Sequence, residues 1–134
     1  MIQRTFDAVS ENLDQVLAYL DIQLESWDCP LRAQMQLDVA VEELFVNIAN
    51  YAYGGNRGTA QISVDLLPER IVQVTFCDTG IPYNPLQKPD PDINIPLEER
   101  QIGGLGIYLV KKSMDEVLYR YENGQNILTI RKAI

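Results

Sequence analysis

Two tight-turn signals constrain this chain more than any other feature. "TAQISVDLL" at 59–67 and "RIVQVTFCD" at 70–78 alternate in type, with Ile62, Val64 and Leu66 on one face of the first and Val72, Val74 and Phe76 on one face of the second. Only the "PER" link joins them. Farther on, "EVLYRYEN" and "QNILTIRK" flank Asn123-Gly124, a pair suited to the left-handed conformations of a two-residue hairpin turn. Links this short join antiparallel neighbours and no others. Each hairpin therefore presents one apolar face that something else must cover.

Three helical patterns are available as cover. After a first strand in "IQRTFDAV", with Ser10 as the expected N-cap, "ENLDQVLAYLDIQLESW" places Leu13, Val16, Leu17, Leu20 and Leu24 on one stripe. Asp28-Cys29-Pro30 breaks the chain, with Pro30 suited to the first turn of a second helix. That helix is expected to reach about Tyr53, where "YGGNRG" stops it. Its later part repeats Val41, Leu44, Phe45, Ile48 and Ala52 at helical spacing. A third helix opens at "GGLGIYLVKKSMD". Three helices cover one sheet face, so the expectation is a two-layer α/β sandwich: a mixed, mostly antiparallel sheet of about five strands under three helices, one domain over 1–134.

Composition narrows the function. The net charge is −8, from 19 acids and 11 bases. Such a chain is repelled by nucleic acid and by anionic membrane surfaces, which leaves a protein partner or a small ligand bringing its own counterion. There is no histidine, which removes histidine metal sites, Ser-His-Asp triads and histidine bases. Cys29 and Cys77 have no metal spacing and read as free thiols of a reducing cytoplasm. No signal peptide or membrane-spanning run is visible.

Three polar constellations stand out. Glu43 and Asn47 are one turn apart on the same helix face. A carboxamide oxygen is a neutral hard ligand for Mg²⁺, and a carboxylate beside it can take a proton from a hydroxyl. Alone, the pair is equally what a solvated back face would show. In "CDTGIPYNP", Asp78 ends a strand and Gly80 follows after one residue. Asp-x-Gly commonly makes a turn, but a strand-end aspartate can also accept from the exocyclic amine of adenine, with Gly80 allowing close approach to a flat ring. The glycines of "GGLGI", from Gly103 to Gly106, precede a helix and can aim backbone N–H groups at an anion. Between the last two lies a proline-rich segment of little periodicity, 81–100.

In this order the three resemble the boxes of the GHKL ATP-binding (Bergerat) fold, and within it the anti-sigma-factor serine-protein kinases of bacterial partner-switching systems. The resemblance covers essentially the whole chain. "EELFVNIANYAY" stands as the N box, "DTGIPYNP" as the G1 box and "GGLGIYLVKKSMDEV" as the G2 box. The resemblance implies ATP and Mg²⁺ as cofactors, Glu43 as general base, Asn47 as Mg²⁺ ligand, Asp78 and Gly80 at the adenine, and Gly103, Gly104, Leu105 and Gly106 at the phosphates. Residues 83–102 would form the ATP lid. The implied substrate is a small STAS-type antagonist domain, with a sigma factor as second partner of a homodimer. Two departures stand out: Tyr51 replaces a histidine common in these kinases, and Arg100 is the nearest arginine to the glycine cluster. An ATP-gated binding module with little turnover is the alternative from another class. A sensor-histidine-kinase fragment is disfavoured by the missing histidine.

Overall fold

The computed structural model describes residues 2–87 and 104–134. Five strands form one sheet in the order β1-β2-β3-β5-β4: β1 (Ile2–Asp7), β2 (Thr59–Leu67), β3 (Ile71–Asp78), β4 (Glu116–Glu122) and β5 (Gln125–Ala133). All four pairings are antiparallel. Three helices, α1 (Leu13–Ser26), α2 (Leu31–Asn47) and α3 (Gly104–Ser113), cover one face. The expected two-layer sandwich is therefore the observed one. Strand β5 lies between β3 and β4, which puts Asn126 opposite Asp78.

The hairpin turns do what their sequences require. Asn123 and Gly124 both adopt positive φ, 54° and 76°. In the other hairpin Glu69 and Arg70 take positive φ without a glycine, 66° and 57°. Arg70 is held there from two sides: its guanidinium donates to Trp27 O (2.7 Å) and its carbonyl accepts from Ile134 N (2.9 Å).

The core lies between the helices and the inward strand residues. Val16, Leu20 and Leu24 of α1, Leu37, Val41 and Phe45 of α2, and Ile62, Val64, Val72, Val74, Phe76 and Ile130 of the sheet are all fully buried. Each such side chain contributes about 1.5–3 kcal/mol relative to exposure. Leu66, expected inward, is 36% exposed at the far end of its hairpin. The opposite sheet face is polar, with Thr75 and Thr129 hydroxyls 3.4 Å apart and Arg131 bound to Gln73 (2.8 Å) and Glu116 (3.3 Å).

Three local expectations change. Ser10 does not cap α1; it opens a 3₁₀ turn, Ser10–Asn12, and the chain entry is closed instead by Asn12 Nδ2 donating to Asp7 O (3.0 Å). Pro30 sits just before the first turn of α2, after α1 has ended through a left-handed Asp28 and a Cys29 N–H bond to Leu24 O (3.0 Å). The second helix does not stay α-helical to Tyr53: beyond Asn47 it widens into a π-helical turn, Ile48–Ala52.

The seam between α1 and α2 carries an unusual pair of acids. Asp21 and Asp38 are hydrogen-bonded carboxyl to carboxyl, and each keeps its Oδ1 buried without a hydrogen bond. Burial first, then the Asp21 hydrogen bond, then the charges of Asp21, Glu25 and Glu42 raise the Asp38 carboxyl from 3.8 to about 7. Asp38 thus keeps its proton well above the ordinary carboxylate range and is about half protonated near pH 7.

Candidate functional site

The polar residues singled out in sequence converge where the C-terminal end of α2 meets the end of β3. A pocket opens there, with a cavity volume of about 60 Å³. Asn47 and Asp78 both line it, from α2 and β3 respectively. Its walls are otherwise mostly apolar or aromatic, including Leu44, Ile48, Phe76, Ile81, Tyr83 and Leu128. An apolar slot with a few convergent polar groups is the form expected of a site for a flat organic ligand.

Asp78 is buried, yet one side of its carboxylate is open. Its Oδ1 accepts from Gly80 N (2.9 Å) and from Asn126 Nδ2 (2.9 Å). Among the described residues its Oδ2 accepts nothing. A strand-end carboxylate held by one oxygen leaves the other as an acceptor for a ligand N–H.

Gly80 is fixed by close approach. A Cβ there would lie 2.2 Å from Ala52 O and 2.6 Å from Ala52 C. The adjoining Ile81 N donates to that same carbonyl (2.8 Å). Ala52 is the last residue of the π-helical turn, so its carbonyl has no partner within the helix and is available to Ile81. Tyr53 completes the joint, accepting from Thr79 N (3.1 Å) while donating to Thr59 O. Sequence reasoning passed over both Tyr53 and the π turn.

Glu43 lies outside the lining of the pocket, against the first turn of α3. A Cβ on Gly106 would fall 2.0 Å from Glu43 Cδ and 2.0 Å from its Oε1. The carboxylate therefore rests on bare glycine backbone. The structure brings Asn47 together with Asp78, and Glu43 together with Gly106. Gly104 and Leu105 open α3, while Gly103, Arg100 and most of the expected lid, 88–102, lie outside the described residues. Glu42 and Asn50 are exposed and take no part. Tyr51 borders the pocket at 63% exposure, and Lys112 lies over the Tyr108 ring at 5.4 Å.

Asn126 is the residue that the sequence reading missed altogether. Its side chain is buried beside Asp78. A signal was present: Asn126, Leu128 and Ile130 share the inward face of β5, and a carboxamide is out of place in that row. Behind it, burial raises the Tyr119 hydroxyl above its ordinary value.

A family model described as the histidine kinase-like ATPase domain matches residues 6–132. The chain belongs to that family. Curated relatives of this histidine kinase-like ATPase domain include the serine-protein kinase RsbW of Bacillus cereus (strain ATCC 10987 / NRS 248), 30% identical over 96 residues, which cover 69% of this chain and 59% of the relative. RsbW of Bacillus mycoides (strain KBAB4) matches to the same extent. The chain thus spans about three fifths of the length of the curated relatives it matches. Among solved structures, the histidine kinase domain of the Erythrobacter litoralis EL346 blue-light activated histidine kinase aligns over 90% of this chain and 60% of that one, with a TM-score of 0.55 at 15% identity. That likeness is one of fold.

Proposed function

We propose that this domain is an ATP:protein-serine phosphotransferase of the anti-sigma-factor type. The observation that carries the reading is a juxtaposition. An amide and a half-satisfied carboxylate share one apolar pocket, and a second carboxylate sits on the glycine turn that opens a helix beside it. ATP and Mg²⁺ fit these residues. Asp78 Oδ2 is an open acceptor for the adenine amine, and Gly80 and Gly106 are positions that a side chain would fill.

Asn47 would hold the magnesium ion, and the backbone amides from Gly103 to Gly106 would hold the terminal phosphate at the helix N-terminus. Magnesium, when bound, offsets the charge of the phosphates. Glu43 would orient the seryl hydroxyl of the substrate and take its proton late in the transfer. A bond forms between seryl oxygen and terminal phosphorus, the bond from that phosphorus to the bridging oxygen breaks, and ADP leaves with the electron pair. The substrate would be a small STAS-type antagonist domain, and a homodimer of this chain would bind a sigma factor. The relatives' name, serine-protein kinase RsbW, supports a protein serine as the acceptor. No described helix is long and apolar enough to cross a membrane, and the proposed setting is the cytoplasm.

The test is Glu43→Gln assayed with radiolabelled ATP and a purified antagonist domain. Phosphoryl transfer should fall at least about a hundredfold, the range of a positioned general base, with ATP affinity changed less than about threefold. Undiminished transfer would remove Glu43 from the mechanism. ATP binding by the wild type with no transfer would favour a nucleotide-gated binding module instead.

A further inference from the structure

Asn126 is the second residue of β5, between β3 and β4, with a side chain only 7% exposed. A primary carboxamide has two N–H donors and an oxygen with two lone pairs. All four are used. Nδ2 donates to Asp78 Oδ1 (2.9 Å) and to Ile81 O (3.0 Å). Oδ1 accepts from Tyr83 N (3.1 Å) and from the Tyr119 hydroxyl. The partners fix which end of the amide is which: a backbone N–H can only donate, so Oδ1 must face Tyr83.

Two consequences follow from one side chain. The first concerns Asp78. With Gly80 N and Asn126 Nδ2 both on Oδ1, the carboxylate cannot rotate without losing two bonds, and Oδ2 is the acceptor that remains for the pocket. The second concerns the pocket wall. Ile81 and Tyr83, both in that wall, are tied by their backbones to β5 at the point where the chain leaves β3.

We propose that Asn126 is a positioning residue for nucleobase selection: it holds Asp78 as a one-sided acceptor that takes a 6-amino purine and rejects a 6-oxo purine. The proposal rests on the nucleotide reading given above. An ionised carboxylate has no hydrogen to give, so it pairs with an exocyclic amine and repels an exocyclic carbonyl. That discrimination requires the acceptor lobe to point in a fixed direction, and Asn126 supplies the constraint.

The test uses the full chain, titrated calorimetrically with ATP, with GTP and with purine riboside 5′-triphosphate, which lacks the 6-amino group. The wild type should prefer ATP over the purine analogue by on the order of ten- to hundredfold, the worth of a hydrogen bond to a charged group. In Asn126→Ala the ATP affinity should fall until that ratio approaches one, while affinity for the analogue changes less than about threefold. Asn126→Asp provides a second variant of the same shape. Its ionised carboxylate has no hydrogen to donate to Asp78, so the ATP preference should be absent there as well. A parallel loss of ATP and analogue in Asn126→Ala, with the ratio intact, would reduce Asn126 to a wall residue and overturn the proposal. An ATP preference that survives unchanged in Asn126→Asp would overturn it as well. Wild-type protein that binds none of the three nucleotides would refute the nucleotide reading itself, and this inference with it.

Discussion

Replacing Asp38 by asparagine should stabilise the domain, and only in one pH window. In the folded chain Asp38 shares a proton with Asp21 across the α1–α2 seam and titrates at about 7, against 3.8 for an unhindered side chain. Between those values the folded state binds more protons than the unfolded state, so stability falls as pH rises. The contribution is full below about pH 4 and gone above about pH 7. Taken at face value the interval amounts to about 4 kcal/mol. The carboxyls are only half-buried, and solvent screening brings the expectation down to about 1–2 kcal/mol. Asparagine keeps the shape of the protonated acid, keeps a donor for Asp21 and does not titrate. Urea unfolding of wild type and Asp38→Asn at about pH 4.5, 6 and 8 should show the variant more stable by about 1–2 kcal/mol at pH 8, with the gap closing towards pH 4.5. Asp21→Asn removes the charge that faces Asp38, so the double variant should gain little over Asp38→Asn alone. A gap independent of pH, or a variant less stable than wild type at pH 8, would refute the shared-proton account.

Three further outcomes follow from the geometry around the pocket. Gly80→Ala drives a Cβ into the backbone of Ala52, which cannot turn aside, and should cost about 2–3 kcal/mol in chemical denaturation with loss of the Ile81–Ala52 bond. Gly106→Ala meets instead the mobile end of Glu43. Its stability should stay within about 1 kcal/mol of wild type, since alanine favours the helix, while phosphoryl transfer falls at least tenfold. Tyr53→Phe removes the surface bonds to the Thr79 N–H and the Thr59 carbonyl, so thermal unfolding should report a loss of about 0.5–1.5 kcal/mol, with the Thr79 amide exchanging faster with solvent.

The sheet was legible because alternation and turn chemistry are local properties. Thr59–Leu67 was read with its observed ends, and Asn123-Gly124 sits in the turn it predicts. The polar and glycine positions singled out in sequence were legible by type and order, and the structure gathers Glu43, Asn47, Asp78, Gly80 and Gly106 around one region. Features that depend on long-range contact were not legible. Nothing in "NIANYAY" announces a π turn, nor that the Ala52 carbonyl at its end is taken by Ile81 N from another part of the chain. Asp21 and Asp38 lie on different helices seventeen residues apart, and only the packing of α1 on α2 makes them a pair. Asn126 needed the β3–β5 register before its polar side chain acquired a meaning.

The contact between Glu43 and Gly106 also has a genetic consequence. Two positions sixty-three residues apart share one small volume, so neither can be judged separately. Any side chain at 106 competes for the space that the longer acid occupies at 43. Glu43→Asp withdraws the carboxylate by one methylene and opens room for a methyl group opposite. Alanine at 106 should therefore be tolerated better in that background than in the parent, as a suppressor pair whose effects do not add. The permitted alphabet at each position is set by the residue at the other.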